Sequence, residues 1–252
     1  MIKLERQEQL ESLINARGFL SVNDAISLLN SSPMTVRRDM DELASENKIE
    51  RVRGGGKSLH PIRNAALEQP HNTKRQRHIN EKHRIAQLAA ELIEHGDTVF
   101  IGAGTTCELI GSYLAGTSAR VVTNSLPAFD LVKDVAGIET ILLGGLYRPK
   151  TSIFYGPLTA NALNNINFDK VFVGANGIDG SDVTGHNADI SDLQRIAFDC
   201  GKKRYILADS SKFGRRDFIT FYDMRNIDAL ITDNSITPEY LAEYSAYTRV
   251  IS

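Results

Sequence analysis

The chain has little from which to build a disulfide framework or a metal cluster. Its two cysteines, Cys107 and Cys200, stand far apart in 252 residues, and neither lies in a pair with metal-ligand spacing. No metal site and no cofactor is therefore expected, and a reducing compartment fits. No apolar run approaches the ~18 residues of a membrane-spanning helix. The first ten residues, MIKLERQEQL, are charged where a secretion signal would be apolar. A soluble, cytoplasmic protein with no membrane partner is expected. Internal repeats and low-complexity tracts are lacking too. What remains, 42% hydrophobic and 24% charged residues, is enough for a sizeable core in two domains and excludes wholesale disorder.

Nor does the chain carry a strong charge of one sign, since its net charge is −2. The balance hides an asymmetry. Residues 1–84 hold 15 Lys and Arg against 11 Asp and Glu, whereas residues 85–252 hold 14 against 20. Nine basic side chains fall between Arg51 and Arg84, with only Glu68 and Glu81 to oppose them. A small basic module precedes a larger acidic one. This suits a polyanion partner for the first part, and a solvated charged linker would look the same.

The first 57 residues read as three short helices and a hairpin. Helix one is expected over about Lys3 to Ala16, with Leu10, Leu13 and Ile14 on one face and Gly18 as its stop. Ser21 caps helix two, where Val22, Ala25, Ile26 and Leu29 recur at helical spacing, and Asn30 and Ser31 supply the turn. Ser32 caps helix three and Pro33 takes its first position, where a missing N–H costs nothing. Val36, Met40 and Leu43 form its core stripe. Successive helical residues turn by about 100°, so that stripe sends Met34, Arg38, Asp41 and Ser45 outward, with Thr35, Arg37 and Glu42 on the flanks. The segment IERVRGGGKSL then reads as two extended pieces around Gly54, Gly55 and Gly56, basic on both sides: a wing.

Residues 58–79 mix proline, polar and basic residues without apolar periodicity, which predicts a linker and a boundary near residue 80. Beyond it, helical and extended patterns alternate as in a mostly parallel sheet covered by helices. Strands are expected at Thr98 to Ile101, Arg120 to Thr123, Thr140 to Leu143, Lys170 to Val173, Tyr205 to Ala208, Ala229 to Thr232 and Arg249 to Ile251. A helix is expected over Glu81 to Glu94, ended by Gly96. The fold class is α/β.

Small, glycine-rich and hydroxylated residues follow these strands: Gly102 to Thr106, Thr123 to Ser125, Gly144 and Gly145, Gly174 to Gly177, and Asp209 to Lys212. In open parallel sheets the carboxyl ends of the strands form the ligand crevice. Gly104, Thr105 and Thr106 running into a helix offer backbone N–H groups, two hydroxyls and the positive end of a dipole, which suits a phosphate, and Lys212 adds a positive charge. The alternative is that the glycines merely shape tight turns. An enzyme of the isomerase or deaminase class would need a poised acid and base. Asp179, Asp182, His186 and Asp209 are near the crevice, but no paired-carboxylate spacing or activated nucleophile stands out. Cys107 at a helix start would be a stabilised thiolate, or a small residue packed under a turn.

The segment Met34 to Met40 with Arg51 to Gly56 resembles the helix and wing of DeoR-type bacterial transcription regulators, whose usual pattern is TIRRDL followed by R-x-H-G-G-A. Gly104-Thr105-Thr106, Thr123-Asn124-Ser125, Gly144 to Arg148, Gly177-Ile178-Asp179 and Asp209 to Gly214 resemble that family's sensor domain, in order and over nearly the whole chain. The resemblance implies a winged helix-turn-helix at 1–57 joined by 58–79 to a sugar-phosphate-sensing domain at 80–252, related in fold to ribose-5-phosphate isomerase. It implies no enzyme but a repressor of a carbohydrate operon, oligomeric as a dimer or tetramer, released from double-stranded operator DNA by a phosphorylated sugar or polyol. The DNA contacts then fall on Ser32, Met34, Thr35, Arg37, Arg38, Arg51, Arg53 and Lys57, with Arg38 suited to a guanine edge. Asp39 and Asp41 either orient these arginines or are solvated acids. The effector contacts fall on Gly104, Thr105, Thr106, Thr123, Asn124, Gly145, Arg148, Asn176 and Lys212. Gly102 and Ala188 depart from the family's common aspartate and glutamate, and Gln194 from its lysine. The phosphate grip is thus retained while the sugar-hydroxyl contacts are altered. A sensor domain used only for oligomerisation is the other reading.

Overall fold

The computed structural model describes residues 3–17, 19–29, 31–58 and 71–252. The chain divides into two compact units, Met1–Leu67 and Glu68–Ser252. Gly18, Asn30 and residues 59–70 lie outside the described residues, and with them most of the expected linker.

The first unit consists of α1 (Lys3–Arg17), β1 (Phe19–Ser21), α2 (Val22–Leu29), α3 (Pro33–Ser45), β2 (Ile49–Val52) and β3 (Gly55–Ser58). Leu10, Ile14, Ala25, Val36, Met40 and Leu43 form its core, as their helical spacing predicts. Both expected caps are present. Ser21 Oγ accepts from Asp24 N at 3.1 Å, and Ser32 Oγ from Thr35 N at 3.2 Å, with Pro33 opening the helix. Beyond the expected hairpin, β1 adds a third strand and pairs with β3, in the order β1-β3-β2. The approach is close: a Cβ on Gly55 would fall on the Leu20 carbonyl oxygen, so the backbone there admits only glycine.

The second unit opens with α4 (His71–Gln76) and α5 (Ile79–Ala90). The expected linker is therefore structured from His71 onward. The sequence HNTKRQ lacks an apolar stripe because charge, not apolar burial, holds α4. After β4 (Thr98–Ile101) come a 3₁₀ segment (Cys107–Tyr113), β5 (Ala119–Thr123), α6 (Leu126–Val132) and β6 (Ile138–Leu142). A hairpin of β7 (Leu146–Arg148) and β8 (Ile153–Tyr155) leads to α7 (Pro157–Asn164) and β9 (Phe168–Gly174). Then follow β10 (Gly177–Asp179), β11 (Asp182–Gly185), α8 (Ala188–Asp199), β12 (Gly201–Leu207), β13 (Ile219–Asp223), β14 (Ala229–Ile231), α9 (Pro238–Ser245) and β15 (Arg249–Ile251).

Seven strands form one parallel sheet in the order β15-β14-β12-β9-β4-β5-β6. They are the seven runs expected from the sequence. Alternation along each strand splits the core between the two faces. Val99, Ile101, Val121 and Phe172 meet Ile85 and Ala89 of α5, whereas Phe100, Val122, Val171 and Val173 meet Leu193 and Phe198 of α8. Helix α5 stops at Ala90, four residues short of expectation, and the chain turns before Gly96, whose φ is +89°. The sheet order reverses between β4 and β9: from β4 the chain moves outward through β5 and β6, then returns to β9 on the other side. That reversal is where open α/β sheets place their ligand crevice.

Of the two acids in α3 whose roles the sequence left open, Asp39 is wholly buried and Asp41 is exposed. Asp39 accepts from Arg6 Nε at 2.6 Å and Nη2 at 3.3 Å, tying α3 to α1. It orients none of the arginines expected to contact DNA, nor is it solvated. Asp39→Ala leaves Arg6 uncompensated and lowers the stability of the first unit by about 1–3 kcal/mol. In calorimetry the unfolding transition of the first unit shifts down while that of the second stays in place.

Candidate functional site

Helix α3 presents Met34, Arg37 and Arg38 to solvent, Met34 being 81% exposed. Thr35 is half-buried, and its hydroxyl lies 2.8 Å from that of Ser32, which caps the helix. Arg51 on β2 gives its Nε to Asp41 at 2.6 Å and Nη1 to the Gly55 carbonyl. It thereby braces the wing against α3, and Asp41 is the acid that orients an arginine. Arg53 at the turn is exposed, and Lys57 lies 3.3 Å from Glu50 across the hairpin. The result is a helix and wing edged with guanidinium and ammonium groups.

In the second unit the expected crevice residues fall at the carboxyl edge of the sheet, on either side of the reversal between β4 and β9. After β4, Gly104 takes φ +148° and leads into Thr105 and Thr106, each 8% exposed. The helix they open, expected from the sequence, is a 3₁₀ helix over Cys107–Tyr113. It packs so closely on α6 that a Cβ on Gly111 would lie 2.7 Å from Val132 Cγ1. After β5, Thr123 is fully buried and its Oγ1 accepts from Ser125 N at 3.0 Å, a scaffold role. Asn124 gives its amide nitrogen to the Phe154 carbonyl at 2.9 Å, while its Oδ1 is buried with no hydrogen-bond partner. That contact folds the β7–β8 hairpin, which carries the half-buried Arg148, over the end of β5. Gly145 comes so close to Thr159 and the Tyr155 carbonyl that no side chain fits there. After β9, Asn176 donates to Asp217 at 3.0 Å; after β12, Lys212 Nζ lies 4.0 Å from Asp209.

The departures from the family pattern have physical correlates. A Cβ on Gly102 would lie 3.2 Å from the Phe172 carbonyl oxygen and 3.3 Å from Val173 Cγ2. Ala188 is exposed at the start of α8, behind the capping residue Asn187, and Gln194 Nε2 donates to the Gly174 carbonyl at 3.2 Å.

Several charged groups of this region escaped the sequence reading. Lys82 lies on the apolar stripe of α5 with Ile85, Ala86 and Ala89, and it is buried. That spacing was the available signal: a lysine at a core position has to be answered by something polar. Its Nζ donates to the carbonyls of Lys74 and Arg77, closing off the end of α4. Burial pushes the Lys82 ammonium below its ordinary pKa; Asp209 and Glu108 draw it upward, and Lys212 and Lys74 depress it further. Lys82, Lys74 and Lys212 therefore share one electrostatic neighbourhood with Asp209 and Glu108. Glu108, fully buried in the 3₁₀ segment, lies 2.6 Å from His71 Nε2 and 3.2 Å from Arg75 Nε. Both partners belong to α4, and His71 N also donates to the Lys150 carbonyl at 3.1 Å. Cys107, wholly buried and with its thiol pushed up to about 12 by burial, is the packing residue and not a thiolate. Among the described residues no cluster of His, Cys, Asp and Glu could hold a metal, and no helix is long and apolar enough to cross a membrane.

Residues 6–61 match the DeoR-like helix-turn-helix domain, and residues 77–234 match the DeoR C-terminal sensor domain. The chain belongs to the DeoR family. Among its DeoR relatives, the lactose phosphotransferase system repressor of Streptococcus mutans serotype c is 39% identical over 254 residues, covering all of both chains. The repressor of the same name from Lactococcus lactis subsp. lactis is 36% identical, over 100% of this chain and 99% of that one. In structure, ribose 5-phosphate isomerase A of Methanocaldococcus jannaschii aligns at 17% identity with a TM-score of 0.39, over 52% of this chain and 53% of that one. Subunit delta of eIF2B from Chaetomium thermophilum aligns at 21% with 0.45, over 62% and 58%. Likenesses this distant say nothing about what a DeoR sensor binds.

The anchoring of α4 has a direct test. Glu108→Ala removes the carboxylate that both His71 and Arg75 lean on, a loss of about 1–2 kcal/mol of local stability. Trypsin then cleaves after Lys74, Arg75 or Arg77 about tenfold faster than in the parent protein, as followed by mass spectrometry. A second check uses the thiols: at pH 8 iodoacetamide leaves Cys107 unmodified until the protein is unfolded.

Proposed function

We propose that this chain represses genes of sugar metabolism. On this reading α3 and the wing hold it on operator DNA, and it lets go when a phosphorylated sugar or polyol fills the crevice of the sensor. The observation that carries the reading is that the Gly104-Thr105-Thr106 turn leads straight into the segment bearing Glu108, while the buried Lys82 ammonium feels both Glu108 and Lys212. A phosphate dianion there relieves the cost of burying Lys82 and takes hydrogen bonds from the two threonines. Arg148, Asn124, Gly145 and Asn176 surround the remainder of the ligand, and Thr123 supports the wall. The relatives named as repressors of a lactose phosphotransferase system support control of sugar uptake, and the DNA-binding domain ahead of the crevice supports a regulator rather than an enzyme. A dimer or tetramer places two wings on one operator.

Linkage follows from the same charges. A phosphate beside Lys82 and Glu108 acts on the two groups that hold α4, the first described helix after the connection to the DNA-binding unit. An effector that favours the off-DNA arrangement lowers operator affinity by a coupling of about 1–3 kcal/mol.

Arg38→Ala weakens operator binding by about 1–3 kcal/mol and relaxes preference at one base pair. Lys57→Ala weakens every duplex alike and lowers the slope of log affinity against log salt by about one. Titrations at several salt concentrations separate the two, and unchanged affinity in both variants removes the groove-docking reading. Thr105→Ala combined with Lys212→Ala abolishes release of DNA by phosphorylated sugars; release that persists overturns the crevice assignment.

A further inference from the structure

The crevice lacks carboxylates at Gly102 and Ala188, yet an acid reaches the same edge from a distant part of the chain. The side chain of Asp217, in the loop before β13, is 8% exposed. One carboxylate oxygen accepts from Asn176 Nδ2 at 3.0 Å; the other accepts from Phe218 N at 2.8 Å and pairs with His186 Nδ1 at 3.1 Å. The Asp217 amide donates to Thr184 Oγ1 at 2.9 Å, which fixes the loop on β11. Burial pushes the Asp217 carboxyl up, but the hydrogen bonds from Asn176, Phe218 and His186 outweigh it and hold the group below its ordinary value. It is ionised at neutral pH. An ionised carboxylate only accepts, so its contact decides which way the Asn176 amide faces: the NH₂ group turns to Asp217, and Oδ1 is the atom left for other partners. Asn176 follows closely on Gly174, where an added Cβ would lie 3.7 Å from Cys107 Sγ and 3.9 Å from the Ala103 carbonyl oxygen. The end of β9 beside Asn176 thus approaches Ala103 and Cys107, the residues that flank the Gly104-Thr105-Thr106 turn.

We propose that Asp217 is a positioning residue of the effector site, holding Asn176 so that the amide offers an acceptor, and thereby selecting ligands that carry a hydroxyl beside the phosphorylated end. The inference rests on the sugar-phosphate reading above and adds to it the residue that tells a phosphorylated sugar or polyol from bare phosphate. It also accounts for a crevice that functions without the acids at positions 102 and 188.

Asp217→Asn keeps the shape but, with its oxygen still taken by His186 and Phe218 N, faces Asn176 with an NH₂. The Asn176 amide then turns over and offers a donor instead of an acceptor. Binding is measured by calorimetry on the full chain with ribose 5-phosphate, glucose 6-phosphate, galactose 6-phosphate and inorganic phosphate. For whichever sugar phosphate the parent protein binds, the variant's affinity falls about tenfold to a hundredfold, while that for inorganic phosphate changes by no more than about twofold. Asn176→Ala, at a half-buried position, shows the same split and carries the test should Asp217→Asn fail to fold. Equal losses for sugar phosphate and inorganic phosphate mean a general scaffold role and overturn the proposal, as does the absence of any loss. A parent protein that binds none of the sugar phosphates overturns the sugar-phosphate reading itself. That failure is read on the unmodified chain and so is distinct from a failure of the variants.

Discussion

In a parallel sheet every strand ends at the same edge, and the sensor unit depends on that constraint. Residues that follow strands are gathered there whatever their separation along the chain, so Gly104 and Lys212 come to one rim from opposite ends of the unit. The order of strands then decides where the rim opens. Because β4 lies between β5 and β9, the connections leaving β4 and β9 diverge and no crossover covers the gap between them. The glycines at this edge serve the same geometry. Gly145 has a neighbour where a side chain would stand, and Gly104 has a backbone angle that side chains rarely adopt.

Charge fills the opening in an unequal way. Glu108 is buried with its two carboxylate oxygens against two groups of α4, His71 and Arg75. Lys82 is buried too, but its closest polar partners are the carbonyls of Lys74 and Arg77, dipoles and not anions. Burial of that ammonium outweighs the pull of Asp209 and Glu108, and its lowered pKa is the sign of it. On the proposed reading a phosphate beside Lys82 gains from that imbalance, because a cation already neutralised by a carboxylate has little to gain from it. Lys82 and Glu108 thus both hold α4, one through carbonyls at its end and the other through its side chains.

Much of this was legible in the sequence. Alternating apolar runs placed all seven strands of the main sheet, and caps at Ser21 and Ser32 placed the helices of the first unit. What escaped was held by interactions that leave no period. Helix α4 has no buried residue and is fixed by Glu108 and Lys82, so no hydrophobic pattern marks it. Strand β1 is three residues long and depends on the glycines of β3 for room. The sheet of β10, β11 and β13 joins segments about forty residues apart, with a register shift between Val183 and Thr184. Asp39 and Asp41 look alike in sequence, two acids in one helix, and only the arrival of Arg6 from α1 and Arg51 from β2 separates a buried structural pair from an exposed brace.

The acids of the crevice make the same point for function. Comparing a motif position by position counts Gly102 and Ala188 as losses, because it assumes that a charge must come from the residue where a related chain has it. Space at the sheet edge imposes no such condition. A Cβ at position 102 meets the Phe172 carbonyl and Val173 at short range, and position 188 faces solvent. The loop before β13, by contrast, is drawn to the edge by the Phe213 bridge to Ile178 and by Thr184, which brings Asp217 onto Asn176 and His186. A carboxylate is defined by what its oxygens accept, and by that measure the sheet edge keeps an acid, Asp217 on Asn176 and His186, that position-by-position reading does not count.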